Sequence, residues 1–270
     1  MKAKSFLALG GIAAASIIVA GKLSAQSGTL ESRIAAAAAD GDVRMSFAAR
    51  PDVCQDGRSY SSHGSHTVWS SSSSDDVEWD EDCEHGPVRL VLRLRDHVPV
   101  ALRAYVGGRW RAPKADGHVT DLGTVPASDA AAYLVRLARQ LPATPGSDAV
   151  FPATLADSAK IWPTLAALAR DSTIPSRTRT QAVFWLGQAA GDATGSLDSL
   201  ATDRRVDEEV REQAVFALSQ RPHDEGVAAL IRIAKTNDDP ELRKKALFWL
   251  GQSGDPRAID VFTEILTKQP

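Results

Sequence analysis

The sequence predicts an α+β N-terminal domain followed by an all-α solenoid, and three observations carry that prediction. Between residues 43 and 106 apolar residues recur with period two, the mark of half-buried strands. From Ile161 onward the spacing becomes helical. Within that helical part a seven-residue block returns every 32 residues, which means stacked repeats whose units cannot bury their apolar faces alone. The composition, 43% hydrophobic and 24% charged, is that of a globular chain.

The elements are expected in the following order. Lys2 and Lys4, an apolar run from Phe6 to Ala20, and Leu23-Ser24-Ala25 before Gln26 have the three-part form of a secretory signal. Residues 1–25 are therefore expected to be cleaved and the chain exported, periplasmic or secreted. The apolar run is about 15 residues against the roughly 20 that span a bilayer, so no membrane span is expected after cleavage. No cysteine lies near the cleavage point, which argues against a lipoprotein-type anchor. Without Lys2, Lys4 and Lys22, 28 basic residues face 34 acidic ones, and that balance speaks against a general nucleic-acid binder.

Residues 26–141 read as a small disulfide-bonded α+β domain. Thr29 to Ala39 is a short helix stopped by Asp40-Gly41. Three strands follow, with Val43, Met45, Phe47 and Ala49, then Val88, Leu90, Leu92 and Leu94, then Val98, Val100, Leu102, Ala104 and Val106 on their apolar sides. Asp96-His97 joins the last two as a hairpin, and Pro99 puts the last at an edge. Cys54 and Cys83, the only cysteines, are expected to pair in an exported chain, closing a loop worth roughly 3 to 4 kcal/mol. Between them, residues 59–84 form a serine-rich and then acidic loop. Beyond Trp110 comes polar coil, then a helix capped by Ser128 and closed by Pro142. Residues 142–152 have linker composition, so the solenoid is expected to occupy 153–270.

The repeated blocks are Ala182-Val183-Phe184-Trp185-Leu186-Gly187-Gln188, Ala214-Val215-Phe216-Ala217-Leu218-Ser219-Gln220 and Ala246-Leu247-Phe248-Trp249-Leu250-Gly251-Gln252. Each lies in a first helix (177–188, 208–220, 241–252) followed by a second one, and a half-copy begins at Pro163. Val210-Arg211-x-x-Ala214-Val215 and Leu242-Arg243-x-x-Ala246-Leu247 resemble the HEAT-like repeats of the E-Z or PBS-lyase type. That resemblance implies helical hairpins in an armadillo-type superhelix and says little about function.

Some relatives of this repeat type resemble deoxyhypusine hydroxylase, whose di-iron site takes His-Glu pairs. Here the solenoid holds one histidine, His223, followed by Asp224, so the ligand count fails. Bilin-lyase-like chemistry is cytosolic and sits poorly with an export leader. His63, His66, Cys54, Cys83, His85 and the acidic run could in principle bind zinc or calcium, but a disulfide would remove the thiolates and the spacing is not that of a calcium loop. No cofactor is expected. No nucleophile elbow or phosphate loop is present.

Two surface patterns are candidate contact sites, each with a plainer alternative: a solvated face partly neutralised by the acidic run at residues 75–84 for the arginines, and packing within the repeats for the phenylalanines. Arg89, Arg93, Arg95 and Arg103 fall opposite the apolar side of their strands as a basic sheet face. Phe184, Phe216 and Phe248 lie about 160° from the core direction of their helices, taking 100° per residue, and would form a stripe along the solenoid. Gln188, Gln220 and Gln252 are expected to hydrogen-bond the inter-helix turns, and the second helices to offer a concave wall. The expected function is a non-enzymatic adaptor or scaffold binding a protein partner of the cell envelope. The rival is an enzyme, metal-dependent or lyase-like, on the same scaffold.

Overall fold

The computed structural model describes residues 28–51, 53–55, 60–62, 85–113, 117–188 and 193–267. The N-terminal part holds α1 (Leu30–Ala35), β1 (Gly41–Phe47), β2 (Val53–Gln55), β3 (Tyr60–Ser62), β4 (Val88–Arg95), β5 (Val98–Val106) and β6 (Val119–Thr124). β5, β4, β1 and β6 lie side by side in that order, all neighbours antiparallel except β1 and β6, while β2 and β3 pair separately. Thr29 caps α1 by accepting from the Ser32 N–H, and the helix ends at Ala35, short of the expected Ala39.

On β4 the expected alternation is complete. Val88, Leu90, Leu92 and Leu94 are buried, and the arginines point outward. Asp96 and His97 both have positive φ, the backbone of the tight hairpin turn whose twist matches the strands. β5 is an edge strand and carries Pro99, as expected. Its alternation, however, breaks at a register shift where Arg93 faces Ala101 but Leu94 faces Pro99. One extra residue turns the strand over, so Val98 and Val100 are 49% and 41% exposed rather than buried. β6 was hidden in what read as polar coil. Of its six residues only Leu122 is buried, so it carries no period-two signal. β3 likewise occupies the start of the expected loop, whose residues 63–84 lie outside the described ones.

The helices are α2 (Ala127–Gln140), α3 (Ala143–Thr154), α4 (Trp162–Arg170), α5 (Ser176–Gly187), α6 (Ala193–Thr202), α7 (Glu208–Ser219), α8 (His223–Thr236), α9 (Pro240–Gln252) and α10 (Pro256–Thr267). Pro126, not Ser128, stands at the N-cap of α2, and the Ser128 hydroxyl bonds the Asp129 carboxylate instead. The expected linker at 142–152 is α3. Pro142 sits at its N-cap and Pro145 in its first turn, where a missing N–H costs no helical bond. Gly146 is required by proximity, since a Cβ there would stand 2.8 Å from the Leu141 carbonyl oxygen. Residues that read as a flexible joint are thus the opening turn of a helix.

α3 packs on α2, on α5 and on β5, so it joins sheet and solenoid. One continuous set of buried residues runs from Leu30 in α1 to Val261 in α10. Beyond α3 the helices form two rows. The first row is α3, α5, α7 and α9; the second is α4, α6, α8 and α10. Ala182, Leu186, Ala214, Leu218, Ala246 and Leu250 of the repeated blocks are fully buried between them.

An arginine ties α5 to α7 and another ties α7 to α9. Arg179 on α5 donates to the Ile174 carbonyl at 2.9 Å and pairs with Asp207, the N-cap residue of α7. One period later Arg211 donates to the Val206 carbonyl at 3.1 Å and to Asp239, the N-cap of α9, at 2.8 Å. Asp239 also accepts from the Glu241 N–H at 3.0 Å. One period before Arg179 stands Ser147, and α5 accordingly begins on Pro175 rather than on an aspartate.

Two expectations follow. The hydrogen bond from Arg211 holds the Asp239 carboxyl below the ordinary carboxylate range. Such a group stabilises the fold above its unfolded pKa of about 3.9 and loses that contribution as pH falls through the lower folded value. Chemical unfolding should therefore find Asp239→Asn less stable than wild type near neutrality and less sensitive than wild type to acidification below about pH 4. Thr178 is 0% exposed with no partner for its hydroxyl among the described residues, at a position that Val210 and Leu242 fill in the later copies. Thr178→Val should raise the unfolding free energy by roughly 1 kcal/mol, read from denaturant midpoints.

Candidate functional site

The outward side of the first-helix row is set by the same period as its core. On α7 the residues Glu209, Glu212, Gln213 and Phe216 fall at helical spacing on one side, and on α9 Glu241, Lys244, Lys245 and Phe248 repeat that pattern 32 positions on. Together with Trp249 these two stripes line a groove of about 540 Å³ between the helices. Its floor at one end is aromatic. The Trp249 ring lies 5.0 Å from both Phe216 and Phe248, edge-on to the latter. Lys245 crosses the groove to Glu212 at 3.1 Å, and Lys244 pairs with Glu241 on its own helix at 2.7 Å. Glu209 is exposed and has no ionic partner among the described residues.

The phenylalanine stripe is therefore not uniform. Phe248 is 56% exposed, whereas Phe184 and Phe216 are half-buried against tryptophans of their row. Trp185, which occupies the position of Trp249 in the first copy, is stacked at 4.3 Å under Phe151 of α3. Between these two aromatic clusters α5 and α7 approach closely. A Cβ on Gly187 would stand 2.9 Å from the Cβ of Ala217, which is the residue that replaces tryptophan in the middle copy.

The second helices, expected to supply the contact wall, instead pair their charges with one another. Asp198 of α6 meets Arg232 of α8, Lys235 of α8 meets Glu264 of α10 at 2.5 Å, and Arg170 of α4 donates to Ser199 of α6 at 3.0 Å. The repeated glutamines stand at the ends of their helices, and the turn after Gln188 (189–192) lies outside the described residues. Gln188 and Gln220 are C-cap residues whose backbone N–H groups close their helices; the Gln220 side chain bonds Ser219, and Gln252 is exposed at the end of α9.

All four arginines of the sheet face point away from the core, but two are already engaged. Arg93 grips Asp42 through two bonds at 2.8 and 2.9 Å, which lower the Asp42 pKa. Arg89 donates to the Gly107 and Gly108 carbonyls at 2.8 and 2.6 Å, and its guanidinium lies 5.6 Å from the Trp110 ring that Arg44 also approaches, at 5.3 Å. Arg44 in turn pairs with Asp121 at 2.8 Å. Arg95 and Arg103 are exposed beside them.

Cys54 is buried on β2, and among the described residues no cysteine is free. Its expected partner Cys83 lies outside those residues, as do His63, His66 and the whole leader. His85 sits with Nδ1 3.1 Å from the Val53 carbonyl oxygen. Among the described residues no three His, Cys, Asp or Glu side chains converge as a metal site, and no helix is long and apolar enough to cross a membrane.

Sequence reasoning found the phenylalanines and missed the glutamate and lysine stripe beside them, although the 32-residue period applied to residues 209–213 would have found it. No curated protein matches the chain. Residues 197–270 match the family model described as HEAT repeats, which are commonly protein-interaction scaffolds. The E-Z or PBS-lyase type remains a resemblance of the sequence. The matched segment runs from α6 through α10 and contains both walls of the groove, so the C-terminal part of this chain is a HEAT-like repeat region.

Proposed function

We propose that this chain is an exported, non-enzymatic adaptor that binds a protein partner of the cell envelope through the groove between α7 and α9. The observation that carries the reading is Phe248, a large apolar side chain more than half exposed over a groove that continues into the rings of Phe216 and Trp249. Exposed aromatic surface rimmed by polar side chains is what protein contacts use. The leader at residues 1–25 supports the compartment, and a Cys54–Cys83 bond would suit it. The arginine face of the sheet, through Arg95 and Arg103, offers the adaptor a second contact.

The test separates contact from packing. Leu218→Ala, in the buried seam, should cost roughly 2 to 5 kcal/mol through lost burial and a cavity. Phe248→Ser should leave thermal unfolding nearly unchanged while the mature chain loses an envelope protein that wild type retains in crosslinked affinity capture. Equal destabilisation by both variants, or identical captured proteins for wild type and Phe248→Ser, would refute the reading.

A further inference from the structure

The groove has two chemically different ends, and that polarity says what enters it. Glu209 and Phe216 are seven residues apart on α7, as are Glu241 and Phe248 on α9, so each end lies about 10 Å from the other along the helices. At the far end three aromatic rings form an apolar floor. In the middle both lysines are held by Glu212 and Glu241. At the near end Glu209 is exposed and has no ionic partner among the described residues, and its nearest counterpart by period, Arg177 on α5, is turned to Ser147 of α3 at 3.3 Å.

Resting on the protein-contact reading above, we propose that the groove takes an extended segment of the partner carrying an apolar side chain and, three residues away, an arginine or lysine. A segment extended as polyproline II rises about 3.1 Å per residue with three residues per turn, so residues three apart project to the same side and span about 9 Å, close to the length of the groove. The apolar side chain covers Phe216, Phe248 and Trp249, and the cation meets Glu209. An acidic residue at the second position would face Glu209 with like charge.

The assignment is tested with labelled hexapeptides and the full mature chain, by fluorescence anisotropy. One peptide holds phenylalanine and arginine three residues apart; a second replaces the arginine with glutamate; a third replaces the phenylalanine with serine. Wild type should bind the first saturably and the other two more weakly. Glu209→Lys should weaken the first peptide about five-fold or more and favour the second, the size expected of an exposed charge pair made repulsive. Far-ultraviolet circular dichroism of Glu209→Lys checks its fold, and Glu209→Gln, which keeps the shape and removes the charge, should give an intermediate loss.

Equal binding of the arginine and glutamate peptides by wild type, no saturable binding of any peptide, or indifference of the arginine peptide to Glu209→Lys would overturn the proposal. If envelope capture still depends on Phe248 in that event, the contact surface stands and only its occupant is wrong. If capture is independent of Phe248 as well, the reading beneath it fails too.

Discussion

The spacing of the first-helix row from α5 to α9 rests on one recurring bond, that between an arginine in the first turn of a first helix and the aspartate at the N-cap of the next. A guanidinium such as that of Arg179, whose side chain is 6% exposed, is stable in that position only if its donors are satisfied. The carbonyl at the entry of its own helix takes one donor and the aspartate of the following helix takes another. The bond therefore fixes the start of one first helix against the start of the next, and it recurs at α5/α7 and α7/α9, where Asp239 also caps its own helix through its side chain.

With the helix starts pinned, the far ends are spaced by side-chain size. At the α5/α7 junction the facing positions are Gly187 and Ala217, and the backbones close to contact. At α7/α9 the same two positions hold Ser219 and Trp249. The indole fills the seam from within, its ring half-buried between Phe216 and Phe248, and the outer edges of the two helices stand apart as the groove. An open site thus arises from a repeat whose core is otherwise constant. At the α3/α5 junction Trp185 is instead covered by Phe151.

This division explains what was legible in the chain. Residues that recur because stacking demands them, the Ala and Leu anchors and the arginines, are visible as a period, and the rows they build were predicted with boundaries close to those observed. Elements that owe their form to tertiary context were not. α3 begins with prolines and a glycine that locally favour a turn, yet burial of Ala149, Val150 and Ala153 against its neighbours makes it helical. β6 is a strand because β1 offers it hydrogen bonds, and its own side chains are mostly solvated. At the site the phenylalanines were legible but their inequality was not, because exposure depends on which tryptophan or alanine stands in the neighbouring helix.

Between the two candidate surfaces, the energetics of desolvation favour the groove. A partner that covers the sheet face must displace water from Arg93 and Asp42, from Arg44 and Asp121, and from the Arg89 fork, whose charges are already balanced by one another or by carbonyls and gain little from a new ion. The groove presents three rings, whose burial is favourable, beside two exposed lysine–glutamate pairs and the Glu209 carboxylate, which has no ionic partner among the described residues. On the proposed contact, affinity would be carried at the aromatic end and selectivity at Glu209, while the arginine face, with Arg95 and Arg103 at its margin, is better suited to orienting a negatively charged partner than to holding it.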